Sequence, residues 1–411
     1  MRTRIGSRNL TCRAVLTLLL AAAPWLIQPV RADAPNQPAP SAKPAAEKSA
    51  AGEQELAEKL GRVDSMVKER MERLNIPGYS LTIIKDGKVV FQQPYGFASL
   101  ERREPVTNDT VFGLASLTKT FTALTLLSLV DQGQIDLDAP LSKYIAGLTR
   151  PYQRLTIRQL ASMTGGVPKV LKREVLWKNQ IGILDHTPPV SQPGSRFLYS
   201  NYSYRLIGSV IANVTGQPFL EVAERTIMMP LGMESTATTF LLRESGRLAQ
   251  AYGDNGGSGP LHPIDYKNPA ISFSAGMLAS TANDLTRYVF ALMERKIISP
   301  GGYQTLWFDR PPLSTGEPSP WAFGWHSGIN NEFGPQRVLA MNGGTPGVAS
   351  TIIILPETKS AVIALCNLRK PPVYKIAKQA ARIVFGENEA ESAGDSPALP
   401  AEEDFPGAQT D

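Results

Sequence analysis

Residues 111–130 have the sequence VFGLASLTKTFTALTLLSLV, and this stretch predicts the centre of the fold. Apolar residues occur almost all round the predicted helix, which begins near Ser116 and ends at Gly133, so we expect it to be buried. It starts with Ser116-Leu117-Thr118-Lys119, an S-x-x-K motif that brings serine and lysine to one helix face. Because burial disfavours an ammonium, Lys119 is expected either to have a lowered pKa or to have polar partners.

The S-x-x-K motif occurs a second time, at Ser65-Met66-Val67-Lys68. Chance predicts roughly one such match in a chain of this composition, so the motif alone is a weak signal. Ser65 lies opposite the apolar stripe of a predicted amphipathic helix and is expected to face water. For the first motif, the structural alternative is that Ser116 caps its helix while Lys119 reaches the surface.

The net charge of +5 comes entirely from the first 32 residues, which contain five arginines and no acidic residue. The remainder has equal numbers of basic and acidic side chains, so its charge does not indicate nucleic acid as a partner. The same 32 residues contain an apolar run, 14–27, interrupted by Pro24 and followed by Ala32. This pattern is typical of a secretory signal peptide, and the run is shorter than the roughly twenty residues that span a bilayer.

Composition divides the chain into four segments. Residues 1–32 are the predicted signal peptide, 33–54 a disordered linker, 55–385 the folded domain, and 386–411 an acidic disordered tail. The protein is therefore expected to be exported, periplasmic or secreted, with no integral membrane span after signal removal. An uncleaved leader would instead anchor it.

Both ends of the folded domain predict β-hairpins beside helices. The strand-like runs 79–84 and 89–91 flank Asp86-Gly87, and the runs 351–355 and 361–366 flank a second turn. We therefore expect an α+β fold: an antiparallel sheet, formed from both chain ends and flanked by helices, with a mostly helical second lobe at about 135–275.

Several common catalytic motifs are absent from the sequence. It contains no G-x-S-x-G, H-E-x-x-H, P-loop or paired C-x-x-C. The three histidines, His186, His262 and His326, lack metal-ligand spacing, which makes a histidine-based metal site or a Ser-His-Asp triad improbable. Any nucleophile must therefore be activated by another residue type.

Five motifs, in order, resemble the serine β-lactamase and penicillin-binding-protein-like hydrolases. They are VFGLASLTKTFTAL, YSNYSYRLIGSVIANVTGQPF, MMPLGMEST, SAGMLASTANDLTRY and NGGTPGVAST, and the similarity spans about residues 57–385. The resemblance is strongest to the branch that holds class C β-lactamases, D-alanyl-D-alanine carboxypeptidases and esterases. It implies a β-lactamase/transpeptidase-like fold for the 55–385 domain, in agreement with the predicted elements.

The resemblance also implies roles for particular residues. Ser116 falls on the nucleophile, Lys119 on the motif lysine, and Tyr199-Ser200-Asn201 on the Y-x-N motif. Tyr199 beside Lys119 would share its proton and act as the general base, because a cation favours phenolate. The structural alternative is that Asn201 caps the following helix and Tyr199 packs on its first turn.

The third motif of this family falls on Asn342, Gly343 and Gly344, with Thr345 next. The family usually has a lysine or histidine at the first position, and Asn342 supplies no charge. The backbone N–H groups of Ser116 and Thr345 are implied as the oxyanion hole, which does not depend on the side chain at 342. Arg369 or Lys370 could supply a cation, or could form an ordinary solvated turn.

The resemblance thus implies a serine hydrolase that forms an acyl-enzyme on Ser116, without metal or organic cofactor. Its partner would be a small-molecule or peptide substrate: an ester for an esterase, a D-amino-acid peptide, or a β-lactam. The alternative is a catalytically impaired, penicillin-binding-protein-like binding or scaffold protein, which the neutral Asn342 and the acidic tail suggest. Oligomeric state and substrate stay open at this point.

Overall fold

The computed structural model describes residues 43–168, 187–254, 259–265, 273–330, 333, 335–368 and 372–386. The chain divides into two units, Met1–Ala51 and Gly52–Asp411. Of the first unit, only the helical segment that starts at Lys43 is described. The predicted signal peptide, the acidic tail beyond Gly386, and both Arg369 and Lys370 lie outside the described residues.

Twelve strands are present in the described part of the chain. In chain order they are β1 (Gly78–Lys85), β2 (Lys88–Ser99), β3 (Glu104–Pro105), β4 (Phe112–Gly113), β5 (Ala237–Thr238), β6 (Ala251–Gly253), β7 (His262–Ile264), β8 (Leu278–Ser280), β9 (His326–Asn330), β10 (Gln336–Thr345), β11 (Val348–Leu355) and β12 (Ser360–Cys366). Seven of them form one antiparallel sheet in the order β3-β2-β1-β12-β11-β10-β9. Strands from both chain ends therefore meet at β1 and β12, as predicted.

The described helices, in chain order, are α1 (Lys43–Arg73), α2 (Thr118–Asp131), α3 (Arg150–Gln153), α4 (Ile157–Ala161), α5 (Asn201–Thr215), α6 (Phe219–Ala223), α7 (Thr239–Glu244), α8 (Phe273–Gly276), α9 (Ala282–Met293), α10 (Pro300–Phe308) and α11 (Pro372–Phe385). A 3-10 turn, Ala115–Leu117, precedes α2, and a π-helical turn, Glu224–Met228, follows α6. Helix α1 begins at Lys43, which corrects the predicted linker, 33–54, over its second half.

The predicted turn at Asp86-Gly87 is confirmed. It joins β1 to β2, and both residues have positive φ, 51° and 73°. This is the conformation that a tight hairpin turn requires, and aspartate followed by glycine adopts it at low cost. The second hairpin is confirmed as well, since β12 pairs along its whole length with residues 349–355 of β11.

The sheet lies between two apolar layers. On one face, Val67 of α1 and Ile376 and Ala380 of α11 pack against alternate residues of the sheet, among them Leu81 and Ile353. The residues between them along each strand, such as Ile352, face the helical lobe on the other side of the sheet. Because side chains alternate along a strand, each strand contributes to both layers, which is why β11 and β12 are buried throughout.

Helix α2 lies inside the helical lobe and is buried from Thr118 to Leu129. It packs against α5, α8 and α10. Its apolar residues surround the axis, as the sequence predicted. No helix among the described residues combines the length and the apolar character that a membrane span requires.

Candidate active site

The 3-10 turn that carries Ser116 is fixed by hydrogen bonds to two sheets. The Leu114 N–H donates to the carbonyl of Leu278 in β8, at 2.8 Å. The Ser350 hydroxyl of β11 donates to the Leu114 carbonyl, at 2.7 Å. Ala115 has φ +45°, a left-handed conformation that costs a non-glycine residue about 1 kcal/mol or more. The surrounding structure therefore holds Ser116 at the head of α2 in a strained turn.

Ser116 and Lys119 contact each other directly. Lys119 Nζ donates to Ser116 Oγ at 2.9 Å and to the Ala275 carbonyl of α8 at 2.8 Å. The start of α2 has no side-chain cap, and Lys119 is fully buried. Both parts of the structural alternative are thereby excluded: Ser116 does not cap the helix, and Lys119 does not reach the surface.

The electrostatic environment of Lys119 favours the neutral amine. Burial lowers the pKa of Lys119 well below its ordinary value, and the positive charge of Arg205 lowers it further. Desolvation disfavours a charged ammonium, and a nearby like charge does the same. An uncharged amine so close to a serine hydroxyl can accept its proton.

Tyr199 completes the contacts of Ser116. Its side chain hydrogen-bonds that of Ser116, and its ring centroid lies 4.9 Å from Lys119 Nζ. Burial raises the pKa of Tyr199 well above its ordinary value, and the hydrogen bond with Ser116 offsets this only in part. The expectation that a cation would favour phenolate is therefore corrected, because burial favours the neutral phenol of Tyr199 and the neutral amine of Lys119.

Asn201 does not cap α5. The cap is Ser200, whose hydroxyl accepts from the N–H of Ser203. Asn201 Oδ1 is buried and has no hydrogen-bond partner among the described residues. A buried amide oxygen without a partner costs free energy, so this atom is available to a ligand's donor.

The third motif lies at the end of β10, beside the serine turn. Thr351 of β11 donates its hydroxyl hydrogen to Asn342 Oδ1 at 2.6 Å. A Cβ added at Gly343 would lie 2.0 Å from the Leu114 carbonyl oxygen, so only glycine allows β10 this close. Gly344 and Thr345 follow in the same strand and pair with Ala349 and Val348. The predicted site residues therefore converge from the serine turn, the start of α5 and β10.

Gly343→Ala is expected to weaken both the fold and the site. The new methyl group would overlap the Leu114 carbonyl and push β10 away from the Ser116 turn, at a cost of about 1–3 kcal/mol in unfolding free energy. Chemical denaturation measures this loss. Gly328→Ala in the neighbouring strand β9 is the matched control, since an added Cβ there meets nothing within 4 Å. Equal stability of the two variants would contradict the close approach at Gly343.

The second S-x-x-K motif has none of these contacts. Ser65 is exposed, and its hydroxyl donates to the Gly61 carbonyl one turn earlier, at 3.1 Å. Lys68 pairs with Asp64 at 2.7 Å. The prediction that Ser65 faces water is confirmed.

Two residues near the site were not identified from the sequence. Arg205 lies one helical turn after Asn201 and is only 6% exposed. Trp321 packs edge-on against the Tyr199 ring with centroids 5.6 Å apart, and its indole N–H donates to the Ala161 carbonyl. The spacing of Arg205 from Asn201 was a visible signal, whereas Trp321 is distant in sequence and gave none.

Metal ligands are not grouped in the described part of the chain, which contains no cluster of three or more His, Cys, Asp or Glu side chains suited to a metal ion. His326 is buried beside Trp321, with ring centroids 4.8 Å apart. Burial lowers the pKa of His326 to about 3, so this imidazole is neutral at physiological pH. His186 lies outside the described residues.

The fold and the arrangement of these motifs are those of a β-lactamase/transpeptidase-like protein. The chain belongs to the beta-lactamase family, because the family model named Beta-lactamase matches residues 63–385. The helix-flanked antiparallel sheet predicted from the sequence is thus confirmed.

Known relatives agree with this assignment. Protein flp of Staphylococcus aureus strain MW2 is 28% identical over 333 residues, which cover 77% of this chain and 65% of that protein. The chain therefore spans just under two thirds of the length of that relative. A beta-lactamase of Pseudomonas fluorescens is 30% identical over 230 residues, 55% of this chain and 63% of that protein.

A solved structure has the same fold. The octameric penicillin-binding protein homologue from Pyrococcus abyssi aligns with a TM-score of 0.70 at 26% identity. The alignment covers 80% of this chain and 78% of that one.

Proposed function

We propose that this protein is a serine hydrolase that forms an acyl-enzyme on Ser116. The observation that carries the proposal is the 2.9 Å contact between Ser116 Oγ and the fully buried Nζ of Lys119. An amine with a lowered pKa beside a hydroxyl is a general base within reach of its proton. Membership of the beta-lactamase family supports the same reaction class.

In the proposed acylation step, Lys119 accepts the Ser116 proton while Oγ attacks the carbonyl carbon of the substrate. The backbone N–H groups of Ser116 and Thr345 stabilise the oxyanion. Tyr199, a neutral phenol hydrogen-bonded to Ser116, passes a proton to the leaving group and is reprotonated from the Lys119 ammonium. Water then hydrolyses the ester on Ser116 through the same groups in reverse, which restores the free hydroxyl.

The proposed substrate is an ester or an amide. Asn201 offers its unpartnered Oδ1 to a substrate N–H, as an amide would provide. Asn342 is uncharged and its Oδ1 is engaged by Thr351, which leaves its amide N–H groups to donate to a substrate oxygen. The predicted leader suggests that the reaction takes place outside the cytoplasm, and detection in a periplasmic or culture-medium fraction tests that point.

Incubation with a fluorophosphonate, followed by intact-mass spectrometry, tests the reaction class. We expect one adduct, located on the peptide that contains Ser116. A panel of a short-chain aryl ester, a D-alanyl peptide and a cephalosporin then separates the substrate classes. Absence of both adduct and turnover would favour a binding protein that has lost catalysis.

Asn342→Lys is expected to shift substrate preference towards molecules that bear a carboxylate. An ammonium at this position pairs with a carboxylate more strongly than an amide does. Turnover of the D-alanyl peptide relative to the aryl ester should rise about tenfold if the new contact stabilises the transition state by ~1.4 kcal/mol. Asn342→Gln, which adds no charge, is the control. An unchanged ratio in the lysine variant would show that residue 342 does not contact the substrate.

A further inference from the structure

Two basic side chains, Lys119 and Arg205, are buried on helices α2 and α5, which pack against each other. Lys119 is fully buried, and Arg205 is only 6% exposed. Neither forms an ion pair with a carboxylate in the described part of the chain, where the salt bridges involve other residues. Buried cations without an anion repel each other and are costly to keep charged. Since arginine stays protonated under nearly all conditions, lysine is the residue that loses its charge.

The position of Arg205 is set by helix α5. Arg205 lies four residues after Asn201, so both occupy the helix face that begins at the site. This helix packs against α2, which carries Lys119, and against α8, whose Ala275 carbonyl accepts from Lys119. The guanidinium lies over the Tyr202 ring, 4.8 Å from its centroid, and the two side chains hydrogen-bond. Arg205 is therefore held in place without an acidic partner among the described residues.

The other titratable groups around Lys119 do not balance the positive charge of Arg205. The buried phenols in the segment before α5 and on α5, α9 and α10 are Tyr199, Tyr202, Tyr204, Tyr288 and Tyr303. Burial raises the pKa of each of them, so they are neutral. His326, beyond Trp321, is neutral as well. The acidic residues on α2 and on the elements packed against it are Asp131, Glu221, Glu224 and Asp284, and the charge that acts on the pKa of Lys119 is that of Arg205.

We propose that Arg205 is a positioning residue for the Ser116–Lys119 pair: its fixed, buried guanidinium favours the neutral amine of Lys119, which can then take the Ser116 proton. The inference rests on the proposed function. It assigns to Arg205 on α5 the charge that favours the neutral form of the base. Arg205 acts through Lys119 and does not contact the reacting atoms.

The pH dependence follows from the lowered pKa of Lys119. Unfolded chains bind a proton at Lys119 below about 10.5, whereas the folded protein binds it only at lower pH. The unfolded state therefore holds more protons in this window, and Lys119 makes stability fall as pH falls from 10.5 towards the folded pKa. Arg205→Gln removes the repulsion and raises the folded pKa. The variant should consequently lose less stability than the wild type on acidification.

The first experiment measures the rate of Ser116 acylation by a fluorophosphonate against pH. In Arg205→Gln, the rise of the rate with pH should move to higher pH. Acylation near pH 6 should be roughly tenfold slower than in the wild type, an effect typical of two like charges in a protein interior, and the two rates should converge at high pH. Arg205→Lys keeps a basic group whose charged form is disfavoured by burial more than that of arginine, so its profile should lie between those of the wild type and Arg205→Gln. Arg225→Gln, which removes an exposed cation from a turn packed against α2, is the matched control. If acylation of Arg205→Gln were slower than that of the wild type by the same factor at every pH, the proposal would be overturned.

The second experiment requires no activity. Unfolding free energies are measured between pH 6 and 9 for the wild type, Arg205→Gln, Lys119→Met and the double variant. The change in unfolding free energy caused by Arg205→Gln should vary with pH when residue 119 is lysine. It should be the same at every pH when residue 119 is methionine. Identical pH dependence in both backgrounds would overturn the assignment even if Ser116 is acylated normally. Failure of the wild type to acylate would instead count against the proposed function, and this cycle would still decide the role of Arg205.

Discussion

Ser116→Ala is expected to abolish covalent labelling by a fluorophosphonate completely. Ser116 Oγ is the hydroxyl that contacts both Lys119 and Tyr199, so its removal leaves no activated nucleophile at the site. Intact-mass spectrometry before and after incubation measures the adduct. The substitution removes one oxygen from a half-buried position, and circular dichroism should show an unchanged fold.

Ser65→Ala is the matched control for this experiment, because it removes the serine of an S-x-x-K motif that lies on an exposed helix face. Labelling of this variant should equal that of the wild type. A stoichiometric adduct that persists in Ser116→Ala would show that another residue is the nucleophile, and peptide mapping would then locate it.

Replacement of Lys119 or Tyr199 is expected to slow acylation by about a hundredfold or more. Lys119→Met removes the base, and Tyr199→Phe removes the phenol that hydrogen-bonds Ser116. Since one proton passes among these groups, the double variant should lose much less than the product of the two single effects. Pre-steady-state kinetics with a chromogenic ester measures the acylation rate of each variant.

Folding must be monitored in the same series, because Lys119→Met replaces a fully buried side chain. Lys68→Met, in the exposed second motif, serves as the control for loss of a lysine and should acylate at the wild-type rate. Strictly multiplicative losses in the double variant would indicate that Lys119 and Tyr199 act independently, and the shared-proton scheme would then be wrong.

Much of the fold could be predicted because its signals are local. The Asp86-Gly87 turn, the two hairpins and the terminal helix depend on side chains within a few residues of one another. The full burial of α2 was also visible, since its apolar residues leave no polar face. The start of α1 at Lys43 was missed because the alanine, lysine and glutamate of this segment are found equally in linkers and in helices.

The site was only partly predictable from the sequence. The part that could not be predicted is mainly the protonation state of its residues. The sequence indicated that Lys119 would be buried, and this determines that its amine is easily deprotonated. It could not indicate that burial would raise the pKa of Tyr199 more strongly than the hydrogen bond with Ser116 lowers it. Whether Ser116 and Asn201 act as helix caps likewise depended on backbone angles at the turns, which composition does not determine.

By itself, the sequence determined the two hairpins, the buried helix and the residues that carry the candidate chemistry, because periodicity and turn residues act over short distances. Only the tertiary structure decided which of these residues meet. It placed Gly343 against the Leu114 carbonyl, Ala275 beside Lys119, and Arg205 near the same amine. These contacts join segments far apart in the chain, and pKa values depend on the desolvation and charge that such contacts create, so they exist only in the folded protein.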